Sequence, residues 1–511
     1  MSFRLDDYVV PMDHAGWSWN ELFLPMNEHW STLTLVVFKL LLLVFGLRDY
    51  LPYLLVLALM HAAAAFLLFA YIRGMAGDLL ALGACLLFAF LAQGSEEFFW
   101  AIQINLTGSV LLGLGALLAL DIPAISRRRL ALASLLLLAS LMFFGEGLIF
   151  LVMASLLVTL RRRVRSHAAA LLLPALAYMG WFVAFGSHAS NYHDSLLRHP
   201  ELGGRFLLFF AYGLASAVTR TFELPLLAAI PVGAVVVLGL RHRWFARNHR
   251  WPAIAAATVA ACVFYLLTGF ERLYTSPDPP RYVYAVAVFV LIGTAGAVAP
   301  VTWRPSLLRA LLLVGLGIVT TVNVALLATF AVGFRGETPY RRDQVQTALA
   351  FSTAPGVDRD TEFSPYVLPT VNIRRLVAAT TRFGSPFPEV TPESVMARRS
   401  PAVLDAIAGL FLFEREPGAA AAGPGCVSLA PGRETVVPIP PSGGMAVVSG
   451  AGAGFLYRLG IAGKVASTTR TVELPPGESQ VLRVPTLVAA APSIVLIQPI
   501  GGDGVSVCPF G

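Results

Sequence analysis

Charge is what this sequence has least of. Only 13% of its 511 residues are Asp, Glu, Lys or Arg, and lysine occurs just twice, at Lys39 and Lys464. With 57% hydrophobic residues beside so little charge, the solvent for most of the chain is the bilayer. Cysteine is also scarce: four residues, with no CxxC and no Cys/His metal spacing, which excludes a zinc module. No signal peptide and no apolar helix precede the first polar stretch, MSFRLDDYVVPMDHAGWSWNELFLPMNEHW, so a further span upstream of Met1 is expected. The near absence of Lys among 37 basic residues points to a GC-rich bacterial genome.

What is abundant is apolar sequence in long runs. A spanning helix needs about 17–25 apolar residues. Ten such segments are read near 51–72, 79–94, 107–122, 130–144, 147–160, 168–186, 223–240, 252–270, 282–300 and 309–333. The stretch 130–160 is split at Gly145-Glu146-Gly147, where glycines suit a tight reversal. Two shorter runs, 33–47 and 206–218, are read as interfacial or re-entrant segments. The fold class is therefore an all-α polytopic membrane domain of about ten helices over 51–334, with a first loop at 1–50.

Arginine fixes the orientation. One set of short loops holds Arg73, Arg127–Arg129, Arg161–Arg165, Arg241–Arg250 and Arg304–Arg309. Short basic loops stay cytoplasmic, so residues 1–50 and the tail after Phe334 are expected outside the plasma membrane. The net charge of +7 is mostly this topology signal and carries no implication of nucleic acid.

Beyond Arg335 charge, Pro and Gly increase. Residues 335–416 read as mixed helix and loop, with helical pattern at Val371–Thr381 and Pro401–Phe411 and with Ser400 as N-cap before Pro401. A linker at 417–425 precedes seven strand-like runs (Thr435–Ile439, Met445–Ser449, Phe455–Leu459, Thr471–Leu474, Gln480–Val484, Ser493–Ile497, Val505–Cys508), a small β-sandwich over 425–511. Cys426 and Cys508 bracket this module and are expected to pair in an oxidising compartment. Cys85 and Cys262 sit within apolar spans as ordinary packing.

The polar residues then gather on one face. Asp6, Asp7, Asp13, His14, Glu28, His29, Glu96, Glu97, Glu146, His188, Asn191–Asp194, Glu271, Arg272, Asp278 and Arg281 all fall in outer loops or at helix ends. Each has a plain reading as cap, solvated residue or headgroup anchor, but ionisable groups at a membrane edge mark candidate function. No internal repeat and no charge at mid-span favours a transporter.

This arrangement resembles the C-type (GT-C) superfamily of membrane glycosyltransferases, which use polyprenyl-phosphate sugars. The resemblance rests on Phe3-Arg-Leu-Asp6-Asp7-Tyr, on Pro25-Met-Asn-Glu-His-Trp30, on the second loop with Glu96, Glu97, Trp100 and Gln103, and on Arg281-Tyr282. It implies a sugar moved from a polyprenyl-phosphate donor to an extracytoplasmic glycan, lipid or protein acceptor. By that resemblance Asp7, with Asp6 behind it, is the base, and Arg281, then Arg272, hold the donor phosphate. Glu28, His29, Glu96, Glu97 and Gln103 would bind the acceptor, with Trp30 and Trp100 stacking on sugar. Glu96, Glu97 and His29 are also the candidates for a divalent cation. The alternatives are an inactive transferase-like assembly protein and a lipid-linked sugar transporter.

Overall fold

The computed structural model describes the chain apart from residues 1–2, 122–125, 189–195, 197–198, 224–249, 274, 300–305, 361, 365–367, 369–370, 416–424, 450–451, 462, 467, 477, 492, 501–504 and 511. Its longer helices are α1 (Thr32–Phe45), α2 (Leu51–Ala76), α3 (Asp78–Ala89), α4 (Ile104–Leu120), α5 (Arg127–Phe143), α6 (Glu146–Leu160) and α7 (Val164–Ala184). They continue with α8 (Gly203–Phe222), α9 (Trp251–Glu271), α10 (Pro280–Val298), α11 (Ser306–Gly336), α12 (Thr338–Ala350), α13 (Ile373–Phe383) and α14 (Pro401–Leu410). The chain divides into two compact units. A helical unit takes His14–Leu41 and Leu51–Gly333; a second, β-bearing unit takes Met1–Asp13, Leu42–Tyr50 and Phe334–Gly511.

Among the described residues, seven stretches are long and apolar enough to cross a bilayer: Leu51–Ala76, Ala101–Leu120, Val164–Ala184, Pro200–Phe222, Trp251–Glu271, Pro280–Val298 and Arg309–Ala350. That is fewer than the ten expected, and the differences have physical causes. The segment at 79–94 becomes α3, whose 12 residues cover about 18 Å of a core about 30 Å thick. The apolar residues after it fold into turns. The segments at 130–144 and 147–160 become α5 and α6, of 17 and 15 residues. The reversal between them falls at Gly145-Glu146-Gly147, where a Cβ on Gly147 would lie 2.4 Å from the Leu141 nitrogen. Nearly all of 223–240 lies outside the described residues.

The run 206–218 shows the opposite difference. It belongs to α8, part of a 23-residue candidate span. The helix outruns its apolar run at both ends and takes in Arg205 and Arg220, whose long stems can carry charge toward an interface.

Small residues let the helices of this unit approach closely. Gly113 of α4 faces the Phe150 ring of α6, with room for no Cβ, and Gly296 of α10 meets Ile254 of α9. Between α3 and α4 the chain breaks into short turns, Ala92–Gly94, Glu96–Phe99 and Ala101–Gln103. Irregular backbone is tolerated at membrane depth only where protein covers it. Here Ala92, Gly94, Ser95, Glu97 and Trp100–Gln103 are all buried, and Asn323 of α11 accepts the Ala92 N–H at 2.8 Å.

In the other unit, β1 (Phe413–Arg415), β2 (Val427–Leu429), β3 (Thr435–Pro438), β4 (Gly444–Ser449), β5 (Ala453–Ile461), β6 (Lys464–Val465), β7 (Arg470–Leu474), β8 (Ser479–Arg483), β9 (Ser493–Ile500) and β10 (Val505–Phe510) form two sheets. One runs β1-β8-β4-β10-β2 and the other β3-β9-β5-β6, with β7 also on β5; every pairing is antiparallel. Alternate residues Phe455, Tyr457 and Leu459 of β5 point inward, as the period of two requires. Cys426, just before β2, is bonded to Cys508 of its neighbour β10. Ser400 caps α14 by accepting the Val403 N–H, with Pro401 at the first helical position.

Candidate functional site

A group of charged residues in the helical unit, two of its carboxylates buried, begins with a tight hairpin. Met26 and His29 exchange both backbone hydrogen bonds at 3.1 Å, leaving Asn27 and Glu28 as a two-residue tip. Both carry positive φ, 48° and 74°, a conformation that Asn adopts readily at such a tip but that costs a residue like Glu about 1–2 kcal/mol. The strained tip presents Glu28 to Arg272, with Nη2 and Oε2 3.6 Å apart. Backbone strain of this kind is found where surrounding structure enforces it, often at functional sites.

Arg272 follows the last residue of α9, and Arg281 is the second residue of α10. Arg281 donates from Nη1 to Glu96 Oε2 at 3.1 Å and lies 5.5 Å from the centre of the Tyr282 ring. The Tyr282 hydroxyl also meets Arg272, which links the two cations. Each guanidinium thus keeps one carboxylate partner from a different loop. Both remain about one-third exposed, so donors are left over for an anion.

Two carboxylates behind this pair lack such partners. Glu97 is fully buried, and neither of its oxygens meets a hydrogen-bond donor beyond its own backbone amide. Glu146, the first residue of α6, is also buried, with Oε2 unpartnered. Burial, and next the negative charge of Glu96, hold the Glu97 carboxyl well above the usual carboxylate range. Burial likewise pushes Glu146 up to about 7, against a smaller opposing pull from its backbone amide and from Arg272 and Arg281. His29, partly buried with its ring 3.9 Å from that of Phe144, is held neutral by removal from water and by the same two arginines.

Beneath Glu97 lies a polar pair that the apolar pattern of α2 conceals. His61 Nε2 donates to the Ala89 carbonyl (3.3 Å), which fixes the tautomer, so Nδ1 accepts from the Tyr284 hydroxyl (3.0 Å). Gly94 presses against the Tyr284 ring, joining this pair to the turn that carries Glu96 and Glu97. Arg220 of α8 contacts Gln93 of that turn and Asp278 of the loop before α10.

No family model, curated protein or solved structure matches this chain. Its chemistry must be read from its own side chains.

The helical unit brings together Glu28, His29, Glu96, Glu97, Arg272 and Arg281 of the residues expected from sequence, and adds Glu146. Trp100 and Gln103 are buried in the same turns. Trp30 stacks on Trp181 (5.4 Å, planes 4° apart) and donates its Nε1–H to Thr32, so one face and the polar edge of its indole are already in use. Asp6 and Asp7 belong to the other unit. There Asp7 is fully buried and accepts from the Tyr50 hydroxyl (2.9 Å) and the Arg4 N–H (3.0 Å), closing a capping box around Leu5–Tyr8. Among the described residues no group of three His, Cys, Asp or Glu side chains is arranged to hold a metal. Asn191–Asp194 fall outside the described residues. His61, Tyr284, Arg220 and Asn323 escape sequence reading because one polar residue barely alters the hydropathy of a long apolar run.

Proposed function

We propose that this protein is a membrane glycosyltransferase, of the C-type superfamily it resembles, moving a sugar from a polyprenyl-phosphate donor to an extracytoplasmic glycan, lipid or protein acceptor. One observation carries the reading. Two arginines at facing helix ends, each with donors to spare, border buried carboxylates whose enclosed oxygens meet no other side chain. That combination matches a ligand with an anionic group and several hydroxyls. Arginine suits phosphate because its fork of N–H donors fits the anion. Unpaired buried carboxylates are costly unless a ligand supplies hydrogen bonds, and sugar hydroxyls are donors. The apolar helices around them supply the solvent for a polyprenyl tail.

The chemistry of transfer follows. The acceptor hydroxyl oxygen bonds to the anomeric carbon as the bond to the phosphate oxygen breaks, and the electron pair leaves on polyprenyl phosphate. Arg281 and Arg272 stabilise that charge. The test is reconstitution of the full chain in nanodiscs with a panel of polyprenyl-monophosphate pentoses and hexoses, following release of polyprenyl phosphate. Wild type should turn over at least one donor, and Arg281→Gln should weaken polyprenyl-phosphate binding. A protein that neither binds polyprenyl phosphate nor turns over any donor would sink the reading. A transporter of lipid-linked sugar is the second reading, favoured by the buried His61–Tyr284 pair within two candidate spans. Translocation without cleavage of the donor would select it.

A further inference from the structure

The transferase reading leaves open which group takes the acceptor proton, and the helical unit narrows the choice. A base must be an ionisable carboxylate near the phosphate-binding cations, with an oxygen not already committed. Glu96 and Glu28 are already paired, with Arg281 and Arg272 respectively, and Glu271, beside Glu28 and Arg272, is only partly buried and presents no enclosed unpartnered oxygen. Glu97 fails for another reason. It is fully buried, and burial, with the negative charge of Glu96 and to a lesser degree Glu146, keeps its own proton in place and makes it a hydrogen-bond donor. Glu146 remains. It heads α6 at the reversal from α5, is buried, and keeps Oε2 unpartnered within electrostatic reach of Arg272 and Arg281.

We propose that Glu146 is the base that accepts the proton of the acceptor hydroxyl, with Glu97 beside it donating a hydrogen bond to the sugar. This rests on the transferase reading above and deepens it. The proton passes from the acceptor O–H to Glu146 Oε2 as the acceptor oxygen bonds to the anomeric carbon. The carbon–oxygen bond to phosphate breaks, polyprenyl phosphate leaves with the electron pair, and Glu146 returns its proton to water. The groups facing Glu146 are its own backbone amide on α6, Glu97 on the turn before α4, Arg272 after α9, Arg281 on α10 and neutral His29, whose ring lies against Gly145. The two arginines favour the carboxylate and burial favours the acid, so the group changes state around neutral pH, where a general base is most effective.

The experiment uses the full chain in nanodiscs, with polyprenyl phosphate as the binding probe and the polyprenyl-phosphate sugar panel as substrate. Wild-type turnover should rise with pH through about 7 and then level. Glu146→Gln should lower turnover by roughly 10²–10⁴-fold and abolish that rise. It should bind polyprenyl phosphate as wild type does, and Glu146→Asp should recover part of the rate with the rise retained. Infrared titration gives an independent readout: a carboxylic acid band lost near neutral pH in wild type and absent from Glu146→Gln. Glu146→Gln turning over at the wild-type rate, or keeping the infrared transition, overturns the proposal while leaving the transferase reading in place. Wild type without binding or turnover overturns both.

Discussion

Replacing Asn323 by Leu tests how the helical unit tolerates irregular backbone inside an apolar environment. Asn323 is fully buried, accepts the Ala92 N–H at 2.8 Å and donates to the Val319 carbonyl at 3.0 Å. Leucine is similar in volume, so little cavity arises, but the Ala92 N–H loses its acceptor. A buried donor left unsatisfied costs about 1–3 kcal/mol, while side-chain hydrogen bonds between membrane helices average ~0.6 and reach ~1.7 kcal/mol. We expect a loss of about 1–2 kcal/mol in equilibrium unfolding of the purified protein. Hydrogen exchange should accelerate at Ala92 first, since its amide donates to Asn323, and then through the turn it anchors, residues 92–94. The neighbouring Val324 is exposed, so Val324→Leu should change stability by less than about 0.5 kcal/mol. An Asn323→Leu protein as stable as wild type, with exchange at residues 92–94 unchanged, would refute the argument that this side chain holds the turn.

Asn27→Gly should change stability by less than about 0.5 kcal/mol, because Asn already tolerates the positive φ and glycine adds flexibility to the unfolded chain; a large change in thermal unfolding would show that the Asn side chain holds the tip. Cys426→Ser with Cys508→Ser should cost roughly 4 kcal/mol for a loop of 82 residues, read from urea unfolding with and without reductant; equal midpoints would remove any stabilising role for the bond. Glu146 also predicts a direction for stability. Its carboxyl is raised from 4.5 to about 7 in the fold, so its contribution is full below pH 4.5 and is lost as pH rises to about 7. That corresponds to roughly 3 kcal/mol at most, and Glu146→Gln should remove this decline; a decline unchanged in the variant would assign it to other groups.

Much of the architecture is legible in the sequence where one physical effect dominates. The strands over 435–508 follow from period-two alternation between turn residues, and they are observed at β3, β4, β5, β7, β8, β9 and β10 within a few residues. The three strands without a forecast, β1, β2 and β6, have two or three residues each, too few for a period to register. Ser400-Pro401 marks a helix start because cap and first turn are local chemistry. Span counting fails where apolar residues are buried by protein instead of lipid, as after α3, and where arginines extend an apolar run, as in α8. For the site, Arg281 and Glu96 are recognisable as rare charges at a membrane edge, but their pairing spans 185 residues and no local pattern encodes it. Glu146 stands out in sequence only as a hairpin tip, since its lack of a partner is a property of packing.

The division of the chain has a consequence for biogenesis. Residues 1–13 and 42–50 are made well before residues 334–511, which complete their unit. Arg341, which lies in the charged neighbourhood of Arg4, Asp7, Tyr8 and Tyr50, leaves the ribosome roughly 15–70 s after Asp7 at ~5–20 residues per second. Through that interval residues 1–13 and 42–50 wait without their final neighbours while the intervening helices are synthesised. A chain terminated before residue 334 would carry its helices but leave residues 1–13 and 42–50 with nothing to fold onto, a ready substrate for quality-control proteases.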